Sequence, residues 1–215
     1  MAASTPTPRV PSAMARAIRR ATLDDLPAMA RIHAASGTPG LLADLGEPFL
    51  RDLYYRGILS SPLGRAFVLT SDGAVVGFVT AATDSTRLFS AIFRRNLPRS
   101  VGAVARASCR HPRVARSFLE TVLVVARKKE AANVPAEIVS LEVSVPYQHR
   151  GFGYALLATA VQDLRADPAA RSIKARILAD HREVERLYEA LGFRPAATFR
   201  MQGRRWKLLL LDSPT

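Results

Sequence analysis

The most informative segment of this 215-residue chain is Pro146-Tyr147-Gln148-His149-Arg150-Gly151-Phe152-Gly153. It lies between the strand-like apolar run 137–145 and a run in which Ala155, Leu156 and Ala160 recur at helical spacing. Glycine lets a backbone approach a ligand closely, and the N–H groups at a helix start form a pocket for a phosphate. The segment therefore predicts a pyrophosphate-binding turn between a strand and a helix.

Two common nucleotide-binding loops do not fit this segment. A P-loop requires Gly-Lys-Ser or Gly-Lys-Thr after four spacer residues, and the segment lacks them. A dinucleotide-binding loop requires a third glycine or an alanine where Leu156 stands, and an acidic residue at the end of the next strand, where only Asp180 follows. The ligand therefore belongs to a different class.

The sequence on both sides of the turn alternates between strand and helix patterns. Ser71-Asp72-Gly73 separates two apolar, β-branched runs, which is typical of a hairpin, and Thr22-Leu23-Asp24-Asp25 has the form of a capping box. The predicted strands are 17–21, 66–70, 74–80, 137–145, 172–178, 196–201 and 204–211. The predicted helices follow the capping box and the glycine-rich turn and occupy 47–60 and 183–191. This order predicts an α/β protein of the α+β type, with a mixed sheet covered by helices.

A basic insertion interrupts this pattern at about 82–135. Its eleven basic and three acidic residues give it a charge of +8, out of +13 for the chain. Its apolar residues recur at helical spacing, which predicts two or three helices with breaks near Leu97-Pro98 and His111-Pro112. The segment 1–15, rich in Pro, Ser, Thr and Ala, is predicted to be a disordered leader, and 16–212 to be a single domain that includes the insertion.

The composition excludes several classes of protein. Apolar residues make up 48% of the chain and charged residues 23%, which is ordinary for a globular protein. The single cysteine, Cys109, excludes an internal disulfide and a cysteine-based zinc site. No run is apolar for long enough to span a bilayer, and the first twenty residues lack the apolar core of a secretory signal. We therefore expect a cytoplasmic enzyme.

Two motifs resemble those of the GCN5-related N-acetyltransferase (GNAT) family, which binds acetyl-CoA. Gln148-x-x-Gly151-x-Gly153 resembles the family's pyrophosphate loop, and Leu187-Tyr188-Glu189-Ala190-Leu191-Gly192-Phe193 resembles the signature on its last helix. With the order of elements, the resemblance covers 16–81 and 136–212. It implies the GNAT fold, a mostly antiparallel central sheet flanked by helices, here with the helical insertion between strands 3 and 4. It also implies direct transfer of the acetyl group to a primary amine in a ternary complex.

The resemblance also implies roles for individual residues. The backbone amides of the turn would hold the pyrophosphate of acetyl-CoA, and the strand segment Leu141–Val143 would pair with its pantetheine arm and steady the acetyl carbonyl. Tyr188 matches the tyrosine that protonates or hydrogen-bonds the CoA sulfur. His181 stands where the family often has an asparagine that contacts the cofactor, and it either replaces that contact, relays a proton or lies idle. The amides expected to hold the pyrophosphate belong to Gln148, His149, Arg150, Gly151, Phe152, Gly153 and Tyr154.

Two glutamates are candidates for the general base. Glu137 occupies the place of a catalytic glutamate in the histone-acetylating branch of the family, and it is equally typical of an exposed residue at the start of a strand. Glu142 lies between Leu141 and Val143 in a central strand, where a carboxylate is costly unless it is paired or functional. Since the two positions differ by an odd number, we expect their side chains on opposite faces, unless a β-bulge intervenes.

The acceptor is the least determined part of the prediction. The insertion should lie at the end of the fourth strand away from the phosphates, on the acceptor side, so its charge predicts an anionic small-molecule amine such as a nucleotide-linked amino sugar. Three alternatives stay open: acetylation of a protein or peptide, a non-catalytic acetyl-CoA sensor or scaffold, and peripheral contact of 82–135 with an anionic membrane.

Other partners are not expected. Nucleic acid is disfavoured, because Phe89, Phe93 and Phe118 of the insertion lie on apolar stripes and form no stacking surface. No metal site is expected from the scattered histidines, of which His33 and His149 are predicted to be structural or to face solvent. The sequence does not indicate an oligomeric state.

Overall fold

The computed structural model describes residues 17–36, 41–110, 114, 116–117, 134–168 and 170–212. Within these residues the strands are β1 (Ile18–Arg20), β2 (Gly64–Ser71), β3 (Ala74–Ala82), β4 (Ala136–Val143), β5 (Ser172–Leu178), β6 (Arg194–Met201) and β7 (Arg204–Asp212). They form one sheet in the order β1-β2-β3-β4-β5-β7-β6. All neighbours are antiparallel except β4 and β5, which are parallel. This confirms the predicted mixed, mostly antiparallel sheet.

Helices cover both faces of the sheet, as predicted. They are α1 (Leu26–Ala35), α2 (Leu41–Leu45), α3 (47–59), α4 (Ser85–Arg95), α5 (Leu97–Arg110), α6 (Phe152–Arg165) and α7 (Arg182–Glu189). Leu156 of α6 and Tyr188 of α7 belong to the core on one face. Leu26, Leu50 and Leu88, from α1, α3 and α4, belong to the core on the other. The apolar periodicity of each helix therefore decides which face it covers.

Two local signals in the sequence have the predicted structure. Asp72 and Gly73, with φ of 50° and 78°, form the two-residue turn between β2 and β3. At the start of α1 the Thr22 N–H donates to the Asp25 carboxylate at 2.8 Å, as in a capping box. The Arg19 guanidinium donates two further hydrogen bonds to that carboxylate and lowers the pKa of Asp25.

Two elements differ from their predicted form. In α3, residues 50–55 form a π-helical stretch, and both Tyr54 and Tyr55 are buried, whereas the sequence predicted only Tyr54 on the buried side. The strand predicted over 137–145 ends at Val143 and is followed by a 3-10 turn, Val145–Tyr147. Pro146 has no N–H to donate to a neighbouring strand, which explains the early end.

The insertion follows its prediction as far as the described residues extend. The predicted break near Leu97-Pro98 falls at Asn96, between α4 and α5. The break predicted near His111-Pro112 and the leader predicted over 1–15 lie outside the described residues. The assignment of 16–212 to a single domain stays a prediction.

The sheet opens between its two parallel strands. β4 and β5 pair only over three residues each, from Ala136↔Ile173 to Ile138↔Ala175. Beyond that point β4 continues to Val143 along β3, and β5 continues to Leu178 along β7. The two strands thus leave a gap in the middle of the sheet, with backbone groups of both strands at its edges.

A β-bulge in β4 overturns the expected facing of the two glutamates. Thr80 of β3 pairs with Ser140 and the next residue, Ala81, pairs with Ile138, so Val139 is an extra residue in β4. The bulge restores an even separation between Glu137 and Glu142. Both side chains lie on the face covered by α1 and α3, and the prediction that they face opposite sides is wrong.

Candidate active site

The glycine-rich turn is fastened to the end of β4. The Gln148 side-chain amide donates to the Val143 carbonyl at 2.9 Å, so the Gln148 side chain shapes the turn. His149 and Gly151 have positive φ values of 59° and 80°, and Gly151 is the residue before α6. The Arg150 guanidinium lies over the Tyr147 ring, 5.7 Å from its centre. The turn therefore has a defined shape while His149, Arg150 and Gly151 stay exposed.

The turn leads directly into the start of α6. The first hydrogen bond of that helix runs from the Ala155 N–H to the Gly151 carbonyl. The preceding N–H groups, including those of Phe152 and Gly153, have no acceptor within the helix, and with the helix dipole they favour an anion. A Cβ on Gly153 would lie 3.2 Å from a methyl group of Leu187, so this glycine also allows α7 to pack closely on α6. The turn and the helix start thus have the geometry of an anion site, and the binding of a pyrophosphate there stays a prediction.

Tyr188 lies beneath the same region, on α7. It is 4% exposed, and its ring packs edge-on against Phe193 with centres 5.1 Å apart. Gly192, with φ of 90°, follows the helix and turns the chain toward Phe193. Burial raises the pKa of Tyr188, and the charges of Glu142 and Glu137 raise it further, so the hydroxyl keeps its proton.

Glu142 faces α1 near the end of β4. Burial raises the pKa of its carboxyl to about 7, and a hydrogen bond from the Ser36 hydroxyl opposes that rise. Its Oε1 atom is 3.9 Å from Nδ1 of His33. Glu142 thus exchanges a proton near neutral pH, the property required of a general base.

His33 belongs to this site, which the sequence analysis did not predict. It is 6% exposed, and its Nδ1 atom is 2.5 Å from the Tyr55 hydroxyl oxygen. Burial lowers the pKa of His33 to about 4, so the imidazole is neutral at physiological pH. The only signal was its position on the buried side of α1, beside Ile32, and that pattern alone indicates a structural residue.

Glu137 has different surroundings at the start of β4. It is 4% exposed, so its interpretation as an exposed residue is wrong. Its Oε1 atom accepts hydrogen bonds from Nε and Nη2 of Arg176, at 2.9 and 2.5 Å, and its Oε2 atom lies 3.9 Å from Nζ of Lys174. Burial lowers the pKa of Lys174, and the Glu137 charge opposes that change. Both cations come from β5, and sequence analysis did not single out either of them.

The remaining predicted cofactor residues surround the gap. Leu141 and Val143 are half-buried and pack on the core beneath α6. His181 is the exposed residue before α7, and His149 is exposed with its Nδ1 atom 3.8 Å from the Glu183 carboxylate. Tyr154 lies in the first turn of α6. The structure therefore brings the turn, Tyr188 and the end of β4 together, and it places His181 at the rim.

A cleft of about 310 Å³ opens beside Glu142, between α1 and the end of β4. Its walls include Arg31 and Ile32 of α1, Ser36, which follows α1, and the chain from Val143 to Pro146. Ser36 also donates to the Glu142 carboxylate, so one residue of the cleft wall is bonded to that carboxylate. Its volume suits a small organic group.

The insertion begins at the other end of β4. The Asp84 side chain caps α4, and the Ser85 N–H donates to the carbonyl of Pro135, which lies just before β4. Phe89 of α4 stacks on Tyr54 with ring centres 5.6 Å apart, so the apolar side of α4 faces the core. Five arginines of α4 and α5 are exposed: Arg87, Arg94, Arg95, Arg99 and Arg106.

The described residues contain neither a candidate membrane span nor a candidate metal site. The helices in that part of the chain are all too short or too polar to cross a membrane. Within the same residues, histidine, cysteine, aspartate and glutamate side chains form no group of three or more suited to a metal ion.

The sequence and the fold were compared with those of known proteins. The family model described as "Acetyltransferase (GNAT) family" matches residues 28–193. The comparison with curated proteins gives no significant match.

Three solved structures illustrate the similarity of the fold. Ribosomal-protein-alanine N-acetyltransferase from Brucella melitensis has a TM-score of 0.55 and 18% identity, over 91% of this chain and 99% of that chain. Ard1 from Thermoplasma volcanium has a TM-score of 0.56 and 17% identity, over 92% and 97%. NAA60 from Arabidopsis thaliana, solved with a bisubstrate analogue, has a TM-score of 0.56 and 14% identity, over 91% and 96%. At these low sequence identities, the similarity to the three structures establishes a shared fold and does not extend to the substrate.

Proposed function

Because the chain belongs to the acetyltransferase (GNAT) family, whose members use acetyl-CoA as cosubstrate, we propose that it acetylates a primary amine with Glu142 as base and Tyr188 as acid. The observation that carries the proposal is the placement of these two side chains beside the gap between β4 and β5. Glu142 is close enough to Tyr188 for its charge to raise the pKa of that hydroxyl. A proton acceptor and a proton donor thus lie at one site.

The residues around the gap fit acetyl-CoA. The start of α6 and the turn before it would hold the pyrophosphate through N–H groups, since both the exposed amides and the helix dipole favour an anion. The edge of β4 from Leu141 to Val143 would pair with the amide groups of the pantetheine arm, because β5 has left this edge. The thioester would then lie near Glu142 and Tyr188.

The chemistry needs one proton acceptor and one proton donor. The amine must be neutral to attack the thioester carbonyl, so Glu142 takes its proton as the C–N bond forms. Tyr188 donates its proton to the sulfur as the C–S bond breaks. The pKa of Glu142, about 7, and the raised pKa of Tyr188 place each group in the required protonation state.

We further propose that the acceptor carries negative charge. The five exposed arginines of α4 and α5 follow β3, and α4 begins beside the end of β4 that lies away from the glycine-rich turn. Their field would concentrate an anionic amine, such as a nucleotide-linked amino sugar, on that side. Acetylation of a protein N-terminus is the second candidate. It is favoured by the fold shared with a ribosomal-protein-alanine N-acetyltransferase.

Calorimetry with a matched pair of glycine variants tests the cofactor site. Gly151 and Gly73 have nearly equal φ values of 80° and 78°, so alanine strains each turn by a similar amount, roughly 1–2 kcal/mol. Gly151→Ala should weaken CoA binding at least about tenfold, because it changes the backbone that holds the pyrophosphate. Gly73→Ala, in the hairpin between β2 and β3, should leave CoA affinity unchanged. Equal effects on CoA affinity, or no heat with wild-type protein, would rule out the site.

Tyr188→Phe tests the acid. We expect turnover to fall by roughly 100-fold while the dissociation constant for CoA changes little, since the variant loses a proton donor and keeps the ring. Release of CoA thiol measured at saturating acceptor gives the rate, and calorimetry gives the affinity. Unchanged turnover would exclude this role for Tyr188.

A panel of amines separates the acceptor classes. Amino sugars linked to nucleotides, polyamines and peptides are compared at low and high salt. An anionic acceptor predicts that salt raises the KM for the amine more than the KM for acetyl-CoA, because screening weakens attraction to the arginines. Turnover of peptides alone would favour the protein acceptor. Binding of acetyl-CoA without turnover of any amine would favour a sensor.

A further inference from the structure

A row of buried polar groups runs behind Glu142. Nδ1 of His33 is 2.5 Å from the Tyr55 hydroxyl oxygen and 3.9 Å from Glu142 Oε1. The Tyr55 hydroxyl also shares a hydrogen bond with Ser140, on the same face of β4 as Glu142. The reaction described above involves Glu142 and Tyr188, and it gives no role to His33, Tyr55 or Ser140.

The position of Nδ1 favours one form of the imidazole. A neutral histidine carries its proton on one ring nitrogen, and the neighbours of each nitrogen decide which one. A lone pair on Nδ1 would point toward the negative Glu142 oxygen, whereas an N–H would present its positive end. With the proton on Nδ1, the Tyr55 oxygen accepts the hydrogen bond, so the Nδ1–H form fits both neighbours of Nδ1.

We propose that His33 is a positioning residue for the acetyl transfer: its Nδ1–H, held in place by the Tyr55 hydroxyl, stabilises the Glu142 carboxylate that accepts the amine proton. This inference rests on the proposed function. At 3.9 Å the interaction is the attraction of a charge to an N–H dipole, since the distance exceeds that of a hydrogen bond.

His33 does not itself exchange the proton. Burial lowers the pKa of His33 to about 4, so the imidazole stays neutral over the range in which Glu142 titrates. Among the described residues, the other titratable groups close enough to feel the Glu142 charge are Tyr55 from α3 and Tyr188 from α7, and burial raises the pKa of both. In a plot of kcat/KM against pH, the acidic limb, where the rate rises with pH, therefore reports the ionisation of Glu142.

The test compares pH profiles of kcat/KM for wild type, His33→Leu and His33→Asn. Leucine removes the N–H, and asparagine places an amide N–H near the position of Nδ1. We expect the acidic limb of His33→Leu to move toward higher pH by about one unit, because the carboxylate loses its stabilising dipole. His33→Asn should recover at least half of that shift, with the KM for acetyl-CoA unchanged in both variants. A limb that stays in place in His33→Leu, or one that moves toward lower pH, overturns the inference.

Two tyrosine variants provide a matched control. Tyr55→Phe removes the acceptor that holds the imidazole, so its limb should move in the same direction by a smaller amount. Tyr54→Phe removes a neighbouring buried hydroxyl that also bonds Ser140, and its limb should stay in place. Equal shifts in the two variants would assign the effect to packing and overturn the inference.

A spectroscopic measurement on the wild-type protein tests the inference without any measurement of activity. Nitrogen NMR of protein containing ¹⁵N-histidine reports which ring nitrogen carries the proton. We expect the Nδ1–H form for His33, identified by the signal that His33→Asn removes, and the Nε2–H form would overturn the inference. The proposed function fails separately: if Glu142→Gln retains the acidic limb, Glu142 is not the base, whatever the form of His33.

Discussion

The two ends of β4 present the same side chain to the same face of the sheet in different surroundings. At the start of the strand, Glu137 accepts two hydrogen bonds from Arg176 and lies beside Lys174. Near its end, Glu142 lies against a serine hydroxyl and a neutral imidazole, and burial raises its pKa to about 7. A buried glutamate is thus a fixed charge where cations face it, and it exchanges a proton near neutral pH where neutral groups face it.

The separation of β4 from β5 causes this difference. Where the two strands pair, Glu137 is directly opposite Lys174, and Arg176 follows two residues later on β5. By Glu142 the strands have parted, so the neighbouring groups come from α1. The gap that would admit the cosubstrate therefore also separates Glu142 from Lys174 and Arg176, the two cations of β5 that lie beside Glu137.

The largest effect expected from this comparison is on stability. Glu137→Gln should lower the free energy of unfolding by about 3 to 5 kcal/mol, because it leaves the cations Arg176 and Lys174 without their buried counter-charge. Urea denaturation at pH 7 measures the change. A loss below about 1 kcal/mol would show that Glu137 is not a fixed structural charge.

Glu142→Gln should instead raise the free energy of unfolding relative to wild type, by an amount that depends on pH. The folded-state pKa of Glu142, about 7, lies above its ordinary value of 4.5, so the folded protein binds more protons between these pH values. Wild-type stability should therefore fall relative to the variant as pH rises from 4.5 through 7, and the difference should reach about 3 kcal/mol. Thermal melts of both proteins at several pH values provide the measurement. A stability difference between the two proteins that does not change with pH would contradict the raised pKa of Glu142.

Turnover should separate the same two substitutions. Glu142→Gln should lower kcat at least about 100-fold, which corresponds to about 2.7 kcal/mol, because the variant cannot accept the amine proton. Glu137→Gln should lower kcat less than about tenfold once the folded fraction is taken into account. Both rates are measured as release of CoA thiol at saturating substrates. The reverse ranking would make Glu137 the base, as its place in the family pattern suggests.

Much of the fold could be predicted from the sequence, because its determinants are local. The two-residue turn at Asp72-Gly73 follows from the left-handed conformation that these residues tolerate, and the capping box at Thr22 follows from hydrogen bonds within four residues. The turn at Gly151 and the signature around Tyr188 lie at the predicted ends of helices. Each of these signals needs no knowledge of distant contacts.

The environment of the two carboxylates could not be predicted, because it depends on distant contacts. The bulge at Val139 leaves no residue pattern in β4, and it reverses an inference based on counting alternate residues. Arg176 reaches Glu137 across 39 positions of the chain, and His33 meets Tyr55 across 22. The sequence therefore named both candidate bases, and only the structure distinguishes their partners.

The smallest expected effect concerns the Ser36 hydroxyl, which donates to Glu142. Ser36 Oγ lies 2.8 Å from the His33 carbonyl oxygen and also bonds the Glu142 carboxylate, so its single proton is divided between two acceptors. Ser36→Ala should raise the pKa of Glu142 and move the acidic limb of kcat/KM toward higher pH by about half a unit, since a hydrogen bond contributes about 1 kcal/mol and this one is shared. Ser144→Ala, in the wall of the same cleft, is the matched control and should leave the limb in place. If the two variants shift the limb equally, the pKa of Glu142 depends on the polarity of the cleft as a whole. A shift confined to Ser36→Ala would show that single donors tune this carboxylate, in contrast to Glu137, whose charge is fixed by two cations.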